Sequence, residues 1–158
     1  MSAVWKPNVT VAAVIERDGR FLLVEEETPE GVRLNQPAGH LDRGESPVDG
    51  AIRETLEETA CELVPSALLG IYMARSASAR EAAPVTYLRF AFIGTVGDAE
   101  PGRPLDTGIL RTLWLTADEV RARSSVHRSP LVMKCIDDYV AGQRYPLSLV
   151  YAHPSAIG

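Results

Sequence analysis

Gly39-His40-Leu41-Asp42-Arg43-Gly44-Glu45-Ser46-Pro47-Val48-Asp49-Gly50-Ala51-Ile52-Arg53-Glu54-Thr55-Leu56-Glu57-Glu58-Thr59-Ala60-Cys61 is the stretch on which the reading of this sequence turns. Ser46 followed by Pro47 is a favoured helix start, an N-cap hydroxyl ahead of a proline at the first helical position. Val48, Ala51, Ile52, Thr55 and Leu56 then recur at three- and four-residue steps, so the pattern predicts a helix over Pro47–Thr59 with one buried face. On that helix Glu54, Glu57 and Glu58 project from one side. Like charges at i,i+4 cost about 0.2–0.5 kcal/mol per pair, a repulsion that a divalent cation turns into attraction. An all-oxygen set suits a hard cation such as Mg²⁺. The three histidines and two cysteines do not cluster in sequence, which argues against zinc.

Working outward, Gln36–Gly44 carries a proline and two glycines and reads as an irregular loop, with His40 as a hydrogen-bonding loop residue. Val9–Ile15 and Arg20–Glu26 read as a hairpin across Asp18-Gly19. A short strand is expected at Val32–Leu34, and longer ones at Glu62–Ala74 and Val85–Gly94, joined by a polar connection, Arg75–Pro84. Ile109–Leu115 reads as a further strand. Thr116 and Glu119 make a capping-box pattern for a short helix to Arg123, and Pro130–Ala141 is the last helix. Phe90, Phe92 and Trp114 sit in apolar runs and are read as core. These elements give a mixed α+β domain.

The chain has 158 residues, 46% hydrophobic and 23% charged, which fits one domain, 1–158, able to bury a core without disulfide staples. Its only cysteines, Cys61 and Cys135, suit a reducing cytoplasm. No segment reaches the length of a membrane span, and the opening residues have no apolar export signal. A net charge of −5 argues against a nucleic-acid polymer as partner, and with two lysines in the chain a phosphate clamp would be arginine.

Gly39, Glu45, Arg53-Glu54 and Glu57-Glu58 match the Nudix box, G-x5-E-x7-R-E-U-x-E-E-x-G-U with U apolar, so residues 39–61 resemble the Nudix hydrolase family. Ala60 departs from the pattern where the family has glycine, and Thr55 and Cys61 are only moderately apolar. Segments outside the box, including Asn35–Leu41, Arg128–Val132 and Gly142–Leu147, resemble a phosphatase branch of the family. The resemblance implies an α/β/α sandwich with a mixed sheet. It also implies hydrolysis of small-molecule phosphoanhydrides: nucleoside tri- and diphosphates and hydroxymethylpyrimidine or thiamine pyrophosphate, with release of phosphate. Carried over residue by residue, Glu54, Glu57 and Glu58 become ligands of Mg²⁺, with Mn²⁺ as a possible substitute, and the Gly39 carbonyl becomes a further ligand. Arg53 and Glu45 become a pair that braces loop against helix.

Glu54 and Glu57 are candidates for accepting the proton of the attacking water, and candidates for a general base outside the box are Glu81, Glu100 and Asp106. Gln36, directly before the box loop, and Arg33 and Arg89 are candidates for gripping substrate, as is Arg75; Tyr145 lies in a tail motif whose role is open. The competing readings are a pyrophosphatase of nucleotide sugars or dinucleoside polyphosphates and a catalytically silent nucleotide-binding domain. Either a monomer or a homodimer is compatible with the sequence.

Overall fold

The computed structural model describes residues 2–76 and 83–158. In chain order the elements are β1 (Asn8–Val14), β2 (Glu16–Arg17), β3 (Arg20–Thr28), β4 (Gly31–Asn35), β5 (Ala38–His40), α1 (Pro47–Thr59), β6 (Leu63–Ser76), β7 (Val85–Val96), β8 (Ile109–Leu115), α2 (Ala117–Ala122) and α3 (Leu131–Val140). From Val11 to Ile15 every residue is buried, the mark of a strand covered on both faces. Alternate side chains sort into two cores. Val11, Ala13 and Ile15 join Leu22, Leu68, Phe92 and Ala51 on the α1 side, whereas Val14 joins Phe21, Leu69, Ile93, Val132 and Ile136 on the α3 side.

The layers are those of an α/β/α sandwich. A mixed sheet runs β5-β1-β7-β6, with β1 and β7 parallel and the other pairs antiparallel. A second, antiparallel sheet is centred on β3, with β2 and β4 in succession along one edge and β8 on the other. Fully burying a side chain such as Leu68 or Phe92 is worth about 1.5–3 kcal/mol, several times the repulsion of one exposed carboxylate pair. Packing therefore fixes how α1 is turned.

Four expectations need correction. Val9–Ile15 does not pair with Arg20–Glu26: the chain bends after Val14, only Glu16 and Arg17 turn back onto β3, and β1 joins the other sheet. A turn at Asp18-Gly19 looks the same whether the preceding strand continues or crosses between sheets. The Gln36–Gly44 loop contains β5, whose Ala38, Gly39 and His40 pair with Ala12, Val11 and Thr10. Part of the Arg75–Pro84 connection is strand, since Arg75 and Ser76 pair with Thr86 and Val85; residues 77–82, with Glu81, lie outside the described residues. Phe92 is core as expected, but Phe90 and Trp114 are half-buried, and Arg17 lies 4.8 Å over the Trp114 ring.

Beyond α3 the chain returns to the sheet. Tyr145 and Leu68 exchange main-chain hydrogen bonds of 2.8 Å in both directions at the outer side of β6, while Leu147 and Val150 pack on the α1-side core. No helix among the described residues is long and apolar enough to cross a membrane.

Candidate active site

The helix that carries the carboxylates starts and stops as its sequence dictates. Ser46 Oγ accepts the Asp49 N–H at 3.2 Å, and Pro47 occupies the first turn. At the far end Ala60 takes the left-handed conformation, φ 62°, and its N–H donates to the Leu56 carbonyl at 2.9 Å. The chain thus forms the cap that a glycine makes without strain, using an alanine.

Arg53 is the organiser of the site. Its Nε and Nη2 donate to the two carboxylate oxygens of Glu45 at 3.0 and 2.8 Å, and Nη2 also reaches the His40 carbonyl at 3.0 Å. Nη1 donates to Glu54 Oε1 at 2.8 Å and to Glu57 Oε2 at 3.2 Å. Glu45 in turn accepts the Asp42 N–H at 2.7 Å, so one guanidinium ties the loop after β5 to two carboxylates of α1. The hydrogen bonds from Arg53 hold the Glu45 carboxyl below its ordinary range and the guanidinium above its own.

Glu54 and Glu58 are buried, and they pack against β5. Glu58 Oε1 accepts the Ala38 N–H at 2.9 Å. A Cβ built on Gly39 falls 2.3 Å from the Glu54 carboxyl, so only glycine permits this approach. Burial pushes the Glu58 carboxyl up to about 9; the Ala38 N–H opposes the shift, while the charges of Glu54, Glu26 and Asp106 add to it. Glu54 is raised as well, first by burial and also by Glu57 and Asp106, against the pull of Arg53.

These side chains wall one lobe, about 430 Å³, of a two-lobed cleft; Glu26, Asp42, Glu54, Glu58 and Asp106 line it. Asp106 is anchored there by its own N–H, which donates to the Glu57 carbonyl at 2.8 Å. Glu100 instead pairs with Arg103 at 3.1 Å beyond the end of α1 and lines neither lobe. The donors are all oxygens, desolvated and mutually repelling, which is the chemistry a hard divalent cation relieves. Among the described residues no three such groups already converge in metal-binding geometry; Arg53 holds Glu54 and Glu57, and Ala38 holds Glu58.

The second lobe, about 500 Å³, opens on the α3 side of the mixed sheet and shares Glu26, Ala38, Gly39 and His40 with the first. Arg33, Arg89, Arg128, Asn8, Thr10 and Tyr87 line it. Arg33 Nη1 donates to the Val32 carbonyl at 3.0 Å, while Arg75 is exposed and does not line the cleft. Gln36, expected to touch substrate, does not reach the cleft. It is buried, its Nε2 donates to the Val132 carbonyl at 2.8 Å and its Oε1 accepts from Arg89 at 2.9 Å, so it acts by fixing Arg89. His40 is exposed, with Asn8 Nδ2 at 3.5 Å.

Glu26, Asn35 and Arg128 were missed by sequence reasoning. A signal was present: on β1 and β7 the face that carries Val14, Ala12, Ile93 and Ala91 turns polar at Thr10, Asn8, Arg89 and Tyr87. Polar residues in register on a core face mark a cavity, but the register is visible only once the strands are paired.

A sheet sandwich whose box helix turns buried carboxylates into a cleft is the arrangement that the Nudix-box resemblance implies for hydrolases of phosphoanhydrides. A family model described as the NUDIX domain matches residues 5–135, and the chain belongs to the Nudix hydrolase family. Within it the chain is similar to the phosphatase NudJ of Escherichia coli strain K12, 38% identical over 146 residues that cover 92% of each chain. It is similar also to a solved Nudix hydrolase from Nitrosomonas europaea, with TM-score 0.87 and 53% identity over 94% of this chain and 99% of that one. A UDP-X diphosphatase structure shares the fold, TM-score 0.69 at 21% identity, covering 91% of this chain and 68% of that one.

Proposed function

We propose that the protein is a Mg²⁺-dependent phosphohydrolase that releases orthophosphate from nucleoside tri- and diphosphates and from hydroxymethylpyrimidine or thiamine pyrophosphate. The observation that carries this reading is the buried cluster of Glu54 and Glu58 beside Asp106 and Glu26, on a chain similar along 92% of its length to the phosphatase NudJ. Glu54, Glu57 and Glu58 would hold the cation, with the Gly39 carbonyl as a further ligand and Mn²⁺ able to substitute. A cation there supplies charge neutralisation on the phosphates and activation of water.

The chain's own residues do the rest. Arg53, braced by Glu45, sets the directions of Glu54 and Glu57 and holds the box loop against α1. Asp106 faces the acidic lobe and is the described candidate for accepting a proton from the attacking water. Arg33 and Arg89 in the adjoining lobe grip the rest of the substrate. The chain acts as a single cytoplasmic domain, monomeric or homodimeric, on a small molecule; both cysteines are free and buried, as a reducing compartment allows.

Product analysis tests this reading with GTP, GDP, thiamine pyrophosphate and ADP-ribose in Mg²⁺, comparing the wild type with Glu58→Gln. Orthophosphate as first product from the first three, abolished in the variant, is the expected result. Turnover of ADP-ribose alone would overturn it in favour of a pyrophosphatase, and tight nucleotide binding without turnover in favour of a silent domain.

A further inference from the structure

Arg89 is a buried cation with neutral company. It sits on β7 with 5% of its surface exposed, on the sheet face that turns from apolar core into the larger lobe. Its Nη1 donates to Gln36 Oε1 at 2.9 Å and lies 3.8 Å from Cys135 Sγ, and its Nη2 donates to Asn35 Oδ1 at 3.0 Å. Among the described residues no carboxylate forms an ion pair with it. Glu26 is the carboxylate whose charge reaches it, and Glu26 is shared with Arg128 at 3.8 Å.

Taking a guanidinium out of water without a counter-charge is costly, and a merely structural staple between these strands would be served by an uncharged side chain. The placement has a second feature. Gln36, tied to the Val132 carbonyl, and Asn35 hold the guanidinium plane in one orientation, which is the preorganisation a receptor needs. An arginine presents five N–H donors in a fork that matches phosphate, and with neutral acceptors on Asn35 and Gln36 its charge is met at the cavity wall only in part, by Glu26, which Arg128 shares.

We propose that Arg89 is the centre of a second phosphate subsite, which binds a phosphate group without a metal while the acidic lobe requires one. The identity of the ligand as phosphate rests on the phosphohydrolase reading above. The two lobes differ in their charged residues. Glu26, Glu27, Asp42, Glu54, Glu58 and Asp106 line the acidic lobe with no arginine or lysine among them, whereas in the larger lobe Arg89, Arg128 and Arg33 outnumber Glu26 and Glu30 and attract an anion directly. A phosphate held at Arg89 thus needs no metal, whereas one bound at the acidic lobe does.

The test is titration of the metal-free protein, in EDTA, with inorganic phosphate, read by calorimetry and by the ¹⁵N resonances of the arginine Nε–H groups. Saturable binding is expected on the wild type, weakened at least tenfold in Arg89→Met and retained in Glu58→Gln, which separates this subsite from hydrolysis. Where the released product occupies the subsite, orthophosphate inhibition of turnover weakens with Arg89→Met; where the substrate's own phosphate does, KM for a diphosphate rises in that variant with kcat little changed. No saturable binding on the wild type, or equal binding in Arg89→Met, overturns the proposal. Should Arg89→Met fail to fold, the wild-type spectrum still decides: an Arg89 Nε–H resonance that does not move on phosphate addition overturns it.

Discussion

The two lobes of the cleft share the main chain of Ala38–His40 and the Glu26 side chain, yet they are built in different ways. The acidic lobe is dominated by one short run of sequence, in which the spacing from Gly39 to Glu58 already sets which carboxylates meet. The arginine lobe draws on β1, β3, β4, β6, β7 and the entry to α3, and no two of its arginines are neighbours in the chain. In the first, geometry is enforced by a helix and one guanidinium, Arg53. In the second it is enforced by strand register and by the uncharged side chains of Asn35 and Gln36. A local unit can be disabled at one position, whereas a distributed one depends on the whole sheet.

The sharpest way to break this contrast is Gly39→Ala. The added Cβ meets the Glu54 carboxyl at 2.3 Å and forces that side chain from its place beside Arg53, so activity should fall by about a hundredfold, while stability changes by less than about 1 kcal/mol because the flexible end of a side chain gives way. Steady-state kinetics and thermal melts check this, and retained phosphate binding by the metal-free variant would show that the lobes fail separately. Next in size is Arg53→Lys, which keeps the charge but loses the fork to Glu45. Activity should drop about 10–100-fold, with about 1 kcal/mol of stability lost because the guanidinium is partly solvent-exposed.

A pH series probes the acidic lobe without mutation. The Glu58 carboxyl sits at about 9 in the folded chain against 4.5 in the unfolded one, so the native state binds the extra proton between those values. The metal-free protein should therefore lose stability as pH rises from about 4.5 towards 9 and level off above. Glu58→Gln should flatten that slope, and a melt series with added Mg²⁺ should do the same for the wild type. The smallest effect belongs to Ala60→Gly, which removes the left-handed strain at the end of α1. Denaturant unfolding should show a gain of up to about 1 kcal/mol with kcat unchanged, because Ala60 touches none of the carboxylates.

The same contrast explains what could be read in advance. The bounds of α1 and its Ser46 cap were legible, because helix periodicity and capping are local properties; of the three carboxylates expected on one side, Glu54 and Glu58 are buried at the acidic lobe while Glu57 is half-buried and lines neither lobe. The left-handed turn at Ala60 was not legible, because an alanine where the family has glycine leaves open whether the helix takes the strained cap or ends differently. The partnering of β1 was not legible, since a strand that pairs with the residues after the next turn and one that crosses to another sheet have the same composition. Gln36 was misplaced for a related reason: closeness to the box in sequence says nothing about which face of the sheet a side chain takes. Glu26 and Arg128 lie far from each other and from the box, and only the pairing of β3 with β4, and of the chain before α3 with Leu34, brings them to one wall.

The return of the chain at Tyr145 bears on a property unrelated to the cleft. β6 is the outer strand of the mixed sheet, and Ile71 and Met73 on it are more than half exposed. A long strand with free main-chain groups and apolar side chains is a template for pairing with another molecule, the first step of aggregation. The two Leu68–Tyr145 hydrogen bonds interrupt that template partway along its length. The tail thereby closes off part of an edge that would otherwise stand open to another molecule.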